Sequence, residues 1–331
     1  MRFALDAMGG DFAPNAVVQG ALDAINKSSK PLNLILVGDE TAIRSELAGR
    51  ENDAIEIVHT DEVVTMDDKG SKVLKSKPNS SLVRGIRMVK DGRADGFISA
   101  GHTGAIMSTT LLSLGRIPGV RRPALAAYFP TEKRGKILCD VGVNPDAKPE
   151  HLVQFALMAS HYYDHVEGFA APKIGLINIG TEPSKGSELY VETYKLLSEM
   201  PNFVGNIEGR HLLTSEADVL ICDGFVGNTL LKFAESWITF FADEIKDKIN
   251  EKLSYKIGAG LMKPIFDDLK AKYDYEEHGG TPLLGVNGIS IVCHGSSGPK
   301  SIMNSIFLGQ KCIENNLIED TQKSLAIHFG H

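Results

Sequence analysis

Nine short apolar runs separated by longer stretches of helical periodicity constrain this fold more than any other feature. The runs are RFALD (2–6), LNLILVG (32–38), IEIVHT (55–60), DGFISA (95–100), ALAAYFP (124–130), KILCDVG (136–142), KIGLINIG (173–180), ADVLICD (217–223) and GISIVCHG (288–295). Helical patterns lie near 14–27, 78–91, 103–115, 149–165, 186–200, 224–252 and 298–316. Strands alternating with helices close as parallel βαβ units with right-handed crossovers. LNLILV and ISIVC are apolar on both faces, as strands covered by helices on both sides must be. The alternation predicts an α/β fold with a mostly parallel sheet between two helical layers. The 331 residues exceed the ~250–300 at which a single core usually stops growing. The expectation is one large α/β catalytic domain over 1–331, with a protruding helical segment at 244–273.

Five of the strands end in glycine-rich or small-residue turns: DAMGGD, SAGHTGA, NIGTEPSKG, CDGFVGN and CHGSSG. In open parallel sheets, ligands bind outside the carboxyl ends of the strands. Five such turns with embedded polar residues point to a large site shared by several loops. In SAGHTGAIM, a helix starting near Thr103 offers first-turn amides to an anion, with Gly101, His102, Thr103 and Gly104 around it. The plainer reading is a helix cap by Thr103. GTEPSKG presents Gly180, Glu182 and Lys185, and lysine is a common phosphate ligand; Lys185 is expected to face the strand ends rather than solvent. CDGFVGN places Asp223, Gly224, Gly227 and Asn228 at another helix start. HGSS adds His294, Ser296 and Ser297.

Several chemistries lack their signatures. GxSxG, HExxH and GxxxxGK[ST] are absent, and GxGxxG does not follow the first strand. The four cysteines are widely separated, which argues against a zinc site or disulfide framework. Cys139, Cys222 and Cys293 near strand ends read as small hydrophobes rather than nucleophiles. No metal or cofactor is expected. A net charge of −7 gives a general nucleic-acid role no electrostatic support. No stretch approaches the ~18 apolar residues of a membrane span, and FALDAMGG is too short and glycine-rich for a signal h-region. Cytoplasm is the expected location.

The segment EIKDKINEKLSYKIGAGLMKPIFDDLKAKY (244–273) differs from the rest. Ile245, Ile249, Leu253 and Ile257 recur every four residues, and Gly258–Gly260 and Pro264 are expected to break the helix. Ile257, Leu261, Met262, Ile265 and Phe266 would then form an apolar tip flanked by Lys252, Lys256, Lys263, Lys270 and Lys272. Such a tip suits a membrane interface or acyl chain, a second subunit, or a lid.

Taken together, DAMGGD, SAGHTGA, CDVG at 139–142, GTEPSKG, CDGFVGN and HGSS resemble the bacterial acyl-ACP:phosphate acyltransferases of phospholipid synthesis. The motifs extend from residue 6 to residue 297, so the resemblance covers essentially the whole chain. It implies transfer of a fatty acyl group from acyl carrier protein (ACP) to inorganic phosphate. It also implies a Rossmann-like doubly wound fold, similar to phosphotransacetylases and isopropylmalate-type dehydrogenases. The implied partners are acyl-ACP, a second copy of the chain, a peripheral membrane contact, and a membrane glycerol-phosphate acyltransferase that takes the product. The alternative activity is a phosphate acetyl- or butyryltransferase acting on acyl-CoA.

With phosphate as nucleophile, no covalent intermediate is required. The expected phosphate contacts are the helix start at 102–105 and Lys185. Asn228 would orient the substrate or donate to the oxyanion, and His102 or His294 would protonate the leaving thiolate. Gly9 and Gly10 let the first loop turn tightly beside the phosphate. Asp6 and Asp11 would orient Lys185 or a histidine, or accept a phosphate proton; alternatively, Asp11 only caps the first helix. The cluster Arg116, Arg121 and Arg122 is a candidate ACP surface, with solvated arginines as the plain reading.

Overall fold

The computed structural model describes residues 1–131, 134–273 and 275–329. The first half of the chain runs β1 (Arg2–Asp6), α1 (Asn15–Lys27), β2 (Asn33–Gly38), α2 (Glu40–Leu47), β3 (Ile55–His59), α3 (Val73–Ser76), α4 (Ser81–Lys90), β4 (Gly96–Ser99) and α5 (Thr103–Leu114). It continues with β5 (Ala124–Phe129), β6 (Lys136–Cys139), α6 (Pro149–His165), β7 (Ile174–Asn178), α7 (Glu188–Leu197), β8 (Phe203–Glu208) and β9 (Val219–Ile221). The last elements are α8 (Gly224–Glu251), α9 (Leu253–Tyr273), β10 (Thr281–Leu284), β11 (Ile289–Val292), α10 (Pro299–Glu314) and α11 (Leu317–Phe329).

The strands form one sheet in the order β3-β2-β1-β4-β11-β10-β5-β6-β9-β7-β8. All pairings are parallel except β11–β10, β10–β5 and β5–β6. Three reversals leave the set β3-β2-β1-β4-β11 running opposite to the set β6-β9-β7-β8. The mostly parallel α/β sheet expected from the sequence is present, divided into two opposed parallel sets. β8 and β10 were not among the expected strands. β8 is a half-buried edge with little apolar signal, and β10 carries Pro282, which reads as a breaker because it cannot donate to a ladder.

Side chains alternate between the faces of each strand. Phe3 and Leu5 join a core layer with α1, α6 and α10, while Ala4 and Phe97 join the opposite layer with α4 and α5. Burying both faces accounts for the continuous apolar runs.

The segment 244–273 departs from expectation in one respect. The helical break falls at Lys252, whose backbone is extended, and α9 runs on through Gly258, Gly260 and Pro264. Proline loses its own i→i−4 hydrogen bond and crowds the carbonyl four residues back, yet the helix-forming residues on either side carry α9 across it. Ile245 and Leu253 therefore lie on different helices, and Leu261, Met262, Ile265 and Phe266 lie along α9 rather than at a break. The side chain of Lys270 lies outside the described residues. Beyond its first turn α8 has no fully buried residue: only Gly224 and Gly227 are buried, and Leu230, Leu231 and Ala234 pack partly buried against the core. Phe233, Trp237, Phe240 and Phe241 stack on its exposed surface. Among the described residues, no helix is long and apolar enough to cross a membrane.

A Cβ at Gly227 would lie 1.9 Å from the backbone oxygen of Asp140, whereas one at Gly258 would meet nothing within 4 Å. Gly227→Ala is expected to lower the unfolding free energy by about 1–3 kcal/mol through overpacking. Gly258→Ala should raise helix stability by about 0.5–1 kcal/mol. Urea unfolding of both variants checks this; equal midpoints would contradict the close packing at 227.

Candidate active site

The loops after β1, β4 and β11 form one polar cluster. Asp6 is buried at the end of β1, where its carboxylate accepts from the Ser99 hydroxyl at 2.8 Å and the Met8 amide at 3.3 Å. Ser99 Oγ in turn accepts from the Gly101 amide at 3.0 Å. A Cβ at Gly9 would lie 2.6 Å from the Asp6 carboxylate, so only glycine lets the first loop close over it. Burial raises the Asp6 pKa against the opposing pull of these hydrogen bonds.

The Asp11 amide donates to the Gly295 carbonyl at 2.7 Å, tying the first loop to the third. α1 has no side-chain cap, its N-cap position being Pro14; Asp11 stands three residues before that position and is not its cap.

α5 starts at Thr103, and its cap is His102 rather than Thr103. His102 Nδ1 accepts from the Ala105 amide at 3.3 Å. Thr103 is exposed and half-buried Gly104 lies under the His102 ring. Among the described residues, the Thr103 and Gly104 amides donate to no other group. The turn Gly70–Lys72 packs on this first turn of α5 and brings Lys72 near it. His294 Nδ1 lies 2.7 Å from Ser296 Oγ, and its Nε2 lies 3.1 Å from Lys232 Nζ. Ser297 is buried and accepts from the Ser301 hydroxyl, so it serves the start of α10.

A second cluster gathers after β6, β7 and β9. Asp140 is fully buried and accepts from the amides of Leu125, Val143 and Asn144 and from the Asn144 side chain, at 2.7–3.1 Å. Its carboxyl is also raised by burial. The Asn144 carbonyl accepts from the Gly224 amide at 2.9 Å. Asp223 caps α8 through the Phe225 and Val226 amides and accepts from the Tyr190 hydroxyl at 2.7 Å. The α8 start thus has its donors taken, whereas the α5 start keeps two of its own open. Asn228 is exposed in the second turn of α8 and faces Gly142, where a Cβ would lie 3.5 Å from its side chain.

Lys185 is exposed. Its stem folds over Gly180 and its ammonium lies 3.8 Å from Glu182. Among the described residues it makes no hydrogen bond or ion pair with Asp6 or Asp11. The expectation that those carboxylates orient Lys185 is corrected: Asp6 is occupied by Ser99 and Met8, and Lys185 sits in the other cluster.

The two clusters meet across a cleft. A cavity of about 630 Å³ is bounded by Met107 and Leu111 of α5 on one side and by Val143 and Asn144 on the other. Lys232 of α8 spans to His294 of the β11 loop. Ile257, Leu261, Met262, Ile265 and Phe266 belong to neither cluster and lie on α9. Cys139, Cys222 and Cys293 are wholly buried, and burial pushes their thiols up, Cys293 to about 12.

Ser99, Asp140, Asn144, Tyr190 and Lys232 were absent from the expected set. Asp140 carried a readable signal, since like Asp6 it follows an apolar strand directly. Lys232 carried none, standing mid-helix among ordinary residues.

A family described as fatty acid synthesis protein matches residues 1–320. The phosphate acyltransferase of Desulfitobacterium hafniense (strain DSM 10664 / DCB-2) is 47% identical over 98% of both chains. That of Moorella thermoacetica is 46% identical over 96% of this chain and 94% of its own. A Streptococcus pyogenes phosphotransacetylase structure superposes with a TM-score of 0.60 at 17% identity, covering 95% of this chain and 94% of its own. A branched-chain phosphotransacylase structure from Enterococcus faecalis gives 0.59 at 14%, covering 94% and 98%. These two structures share the fold.

Because burial raises Asp6 above its ordinary 3.8, the native state holds a proton that the unfolded chain has released. The stability this gives is full below 3.8 and is lost as pH rises through the folded value. Urea-unfolding free energies should therefore fall with rising pH more steeply in the wild type than in Asp6→Asn over that acidic window. Identical slopes would contradict the burial of a titrating Asp6.

Proposed function

The chain belongs to the fatty acid synthesis protein family that includes the phosphate acyltransferases, and from that premise we propose that it moves a long-chain acyl group from acyl-ACP to inorganic phosphate. The product, acyl phosphate, would supply a membrane glycerol-phosphate acyltransferase in phospholipid synthesis. The observation that carries the site assignment is the pair of uncommitted amides at Thr103 and Gly104. They stand at a helix N-terminus, where the dipole favours an anion.

Phosphate seated there is flanked by His102 and by the His294–Ser296 turn, with Lys232 supplying positive charge. Lys185 approaches from the second cluster, and its long 3.8 Å contact with Glu182 leaves it available to the anion. A phosphate oxygen attacks the thioester carbonyl carbon, the carbon–sulfur bond breaks, and the thiolate takes up the proton that phosphate releases. His102 or His294 relays that proton. Asn228 donates to the tetrahedral oxyanion, a contact typically worth about 3–4 kcal/mol. The remaining loop residues, Gly9, Gly10, Gly101, Gly180, Glu182, Asp223, Gly224, Gly227, Ser296 and Ser297, shape the walls around these groups. The buried thiols support an acyl acceptor brought from outside rather than a cysteine nucleophile.

The enzyme as a whole would act as a homodimer at the cytoplasmic membrane surface. The aromatic strip of α8 would pack on a second copy, and the exposed apolar residues of α9 would touch the bilayer.

Thiol release from palmitoyl-ACP should require inorganic phosphate and exceed release from acetyl- or butyryl-CoA; release without phosphate would overturn the reading. Proline is tolerated at the first helical position, so Thr103→Pro deletes one donor while keeping α5. It should raise the KM for phosphate at least tenfold, and an unchanged KM would remove the α5 start from the site. For the membrane contact, Leu261→Glu with Phe266→Glu should abolish co-sedimentation with anionic liposomes; undiminished co-sedimentation would exclude α9.

A further inference from the structure

The cavity beside α5 has a feature that phosphate does not need. Past the C-terminal end of α5, three arginines stand within seven positions, and Arg116, Arg121 and Arg122 all border the cavity. The chain as a whole carries a net charge of −7, so this concentration of positive charge runs against its overall balance. The rim is held in place. Buried Gln154 accepts from the Arg121 amide at 2.8 Å and donates to the Gly119 carbonyl at 2.9 Å. Arg116 donates to the Arg121 carbonyl. The guanidinium of Arg121 has only Glu150 at 3.9 Å, and among the described residues that of Arg122 makes no hydrogen bond or ion pair. The backbone is fixed while two guanidinium groups stay uncommitted.

The rest of the cavity is of another character. Met107 and Leu111 give it an apolar floor along α5, and Asn144 gives it a polar wall. α5 spans Thr103–Leu114 and so rises about 18 Å from its open amides to its C-terminal end, past which the arginines stand. A ligand suited to this space carries an anion at the arginine end and a narrow chain along the apolar floor.

We propose that this cavity seats the pantetheine arm of the thioester substrate, with Arg121 and Arg122 gripping the phosphodiester at its base. The inference rests on the acyl-transfer reading and deepens it. An extended pantetheine arm has about the reach of α5, so a phosphodiester held at the rim delivers the thioester carbonyl beside the phosphate seated at the start of α5. Arginine suits this role because its planar fork pairs with two phosphate oxygens. Acyl-carrier protein joins the arm through a phosphodiester and acyl-CoA through a diphosphate, so both present phosphate oxygens at its base, whereas an acyl-N-acetylcysteamine thioester has none.

The experiment compares kcat/KM for palmitoyl-ACP, palmitoyl-CoA and palmitoyl-N-acetylcysteamine in the wild type, Arg122→Ala and the double variant Arg121→Ala/Arg122→Ala. These exposed side chains can be removed without opening the core, and circular dichroism checks the fold. The ratio of either phosphate-bearing substrate to the truncated one should fall at least tenfold in the double variant. A ratio within twofold of the wild type would overturn the assignment. A fall for palmitoyl-ACP alone would also overturn it, because the arginines would then be reading the carrier's protein surface. Failure of the acyl-transfer reading itself shows separately, as no phosphate-dependent thiol release by the wild type from any of the three.

Discussion

Two buried carboxylates organise the functional end of this molecule. An ionised carboxylate withdrawn from water is costly unless hydrogen bonds replace the lost solvation. Asp6 and Asp140 both stand at the carboxyl end of a strand, and both recruit amides of the loop that follows, Asp6 adding the Ser99 hydroxyl of β4. Each loop is thereby bent back over its own aspartate. The glycines follow from this: at Gly9 a side chain would collide with the carboxylate, and at Gly227 with the Asp140 backbone. The negative charges beside the proposed phosphate site are turned inward, so the surface Asp6 and Asp140 leave presents amides rather than their carboxylates.

The opposed strand sets give that surface its shape. A single parallel sheet would put all the loops on one edge and build a crevice at a switch point. Here the direction reverses across β10 and β5, and α8 links the halves by carrying Lys232 across to His294. The two halves therefore carry loop clusters of different electrostatic state, joined through Lys232 and His294. At α8 the cap is closed by Asp223 and Asn144, and at α5 it is open. Positioning an anion and a thioester in such a cleft can by itself lower a barrier by about 7–11 kcal/mol in well-oriented cases, so no protein nucleophile is required.

Much of this was legible in the sequence, because apolar period and glycine punctuation are local signals. The strands at 2–6, 33–38, 96–99 and 289–292 and the helix at 103–114 stood where the alternation put them. What stayed hidden depended on tertiary context. Pro282 sits in a strand because its neighbours tolerate the missing donor, and Pro264 sits in a helix for the same reason. Lys185 looked like a group facing inward, yet its loop is exposed throughout. The cap at α5 fell to His102 rather than Thr103, a difference of one residue that decides which amides remain open. Lys232 reaches His294 only because a long helix crosses between halves, which no spacing in the chain announces.

The central claim is that phosphate attacks the thioester directly while both are bound. Initial-rate kinetics test it most simply, with acyl-ACP varied at several fixed phosphate concentrations. Direct attack in a ternary complex predicts double-reciprocal lines that intersect, and no exchange of labelled ACP into acyl-ACP when phosphate is absent. Parallel lines together with phosphate-independent exchange would mean that the acyl group rests on the enzyme first, contradicting the account.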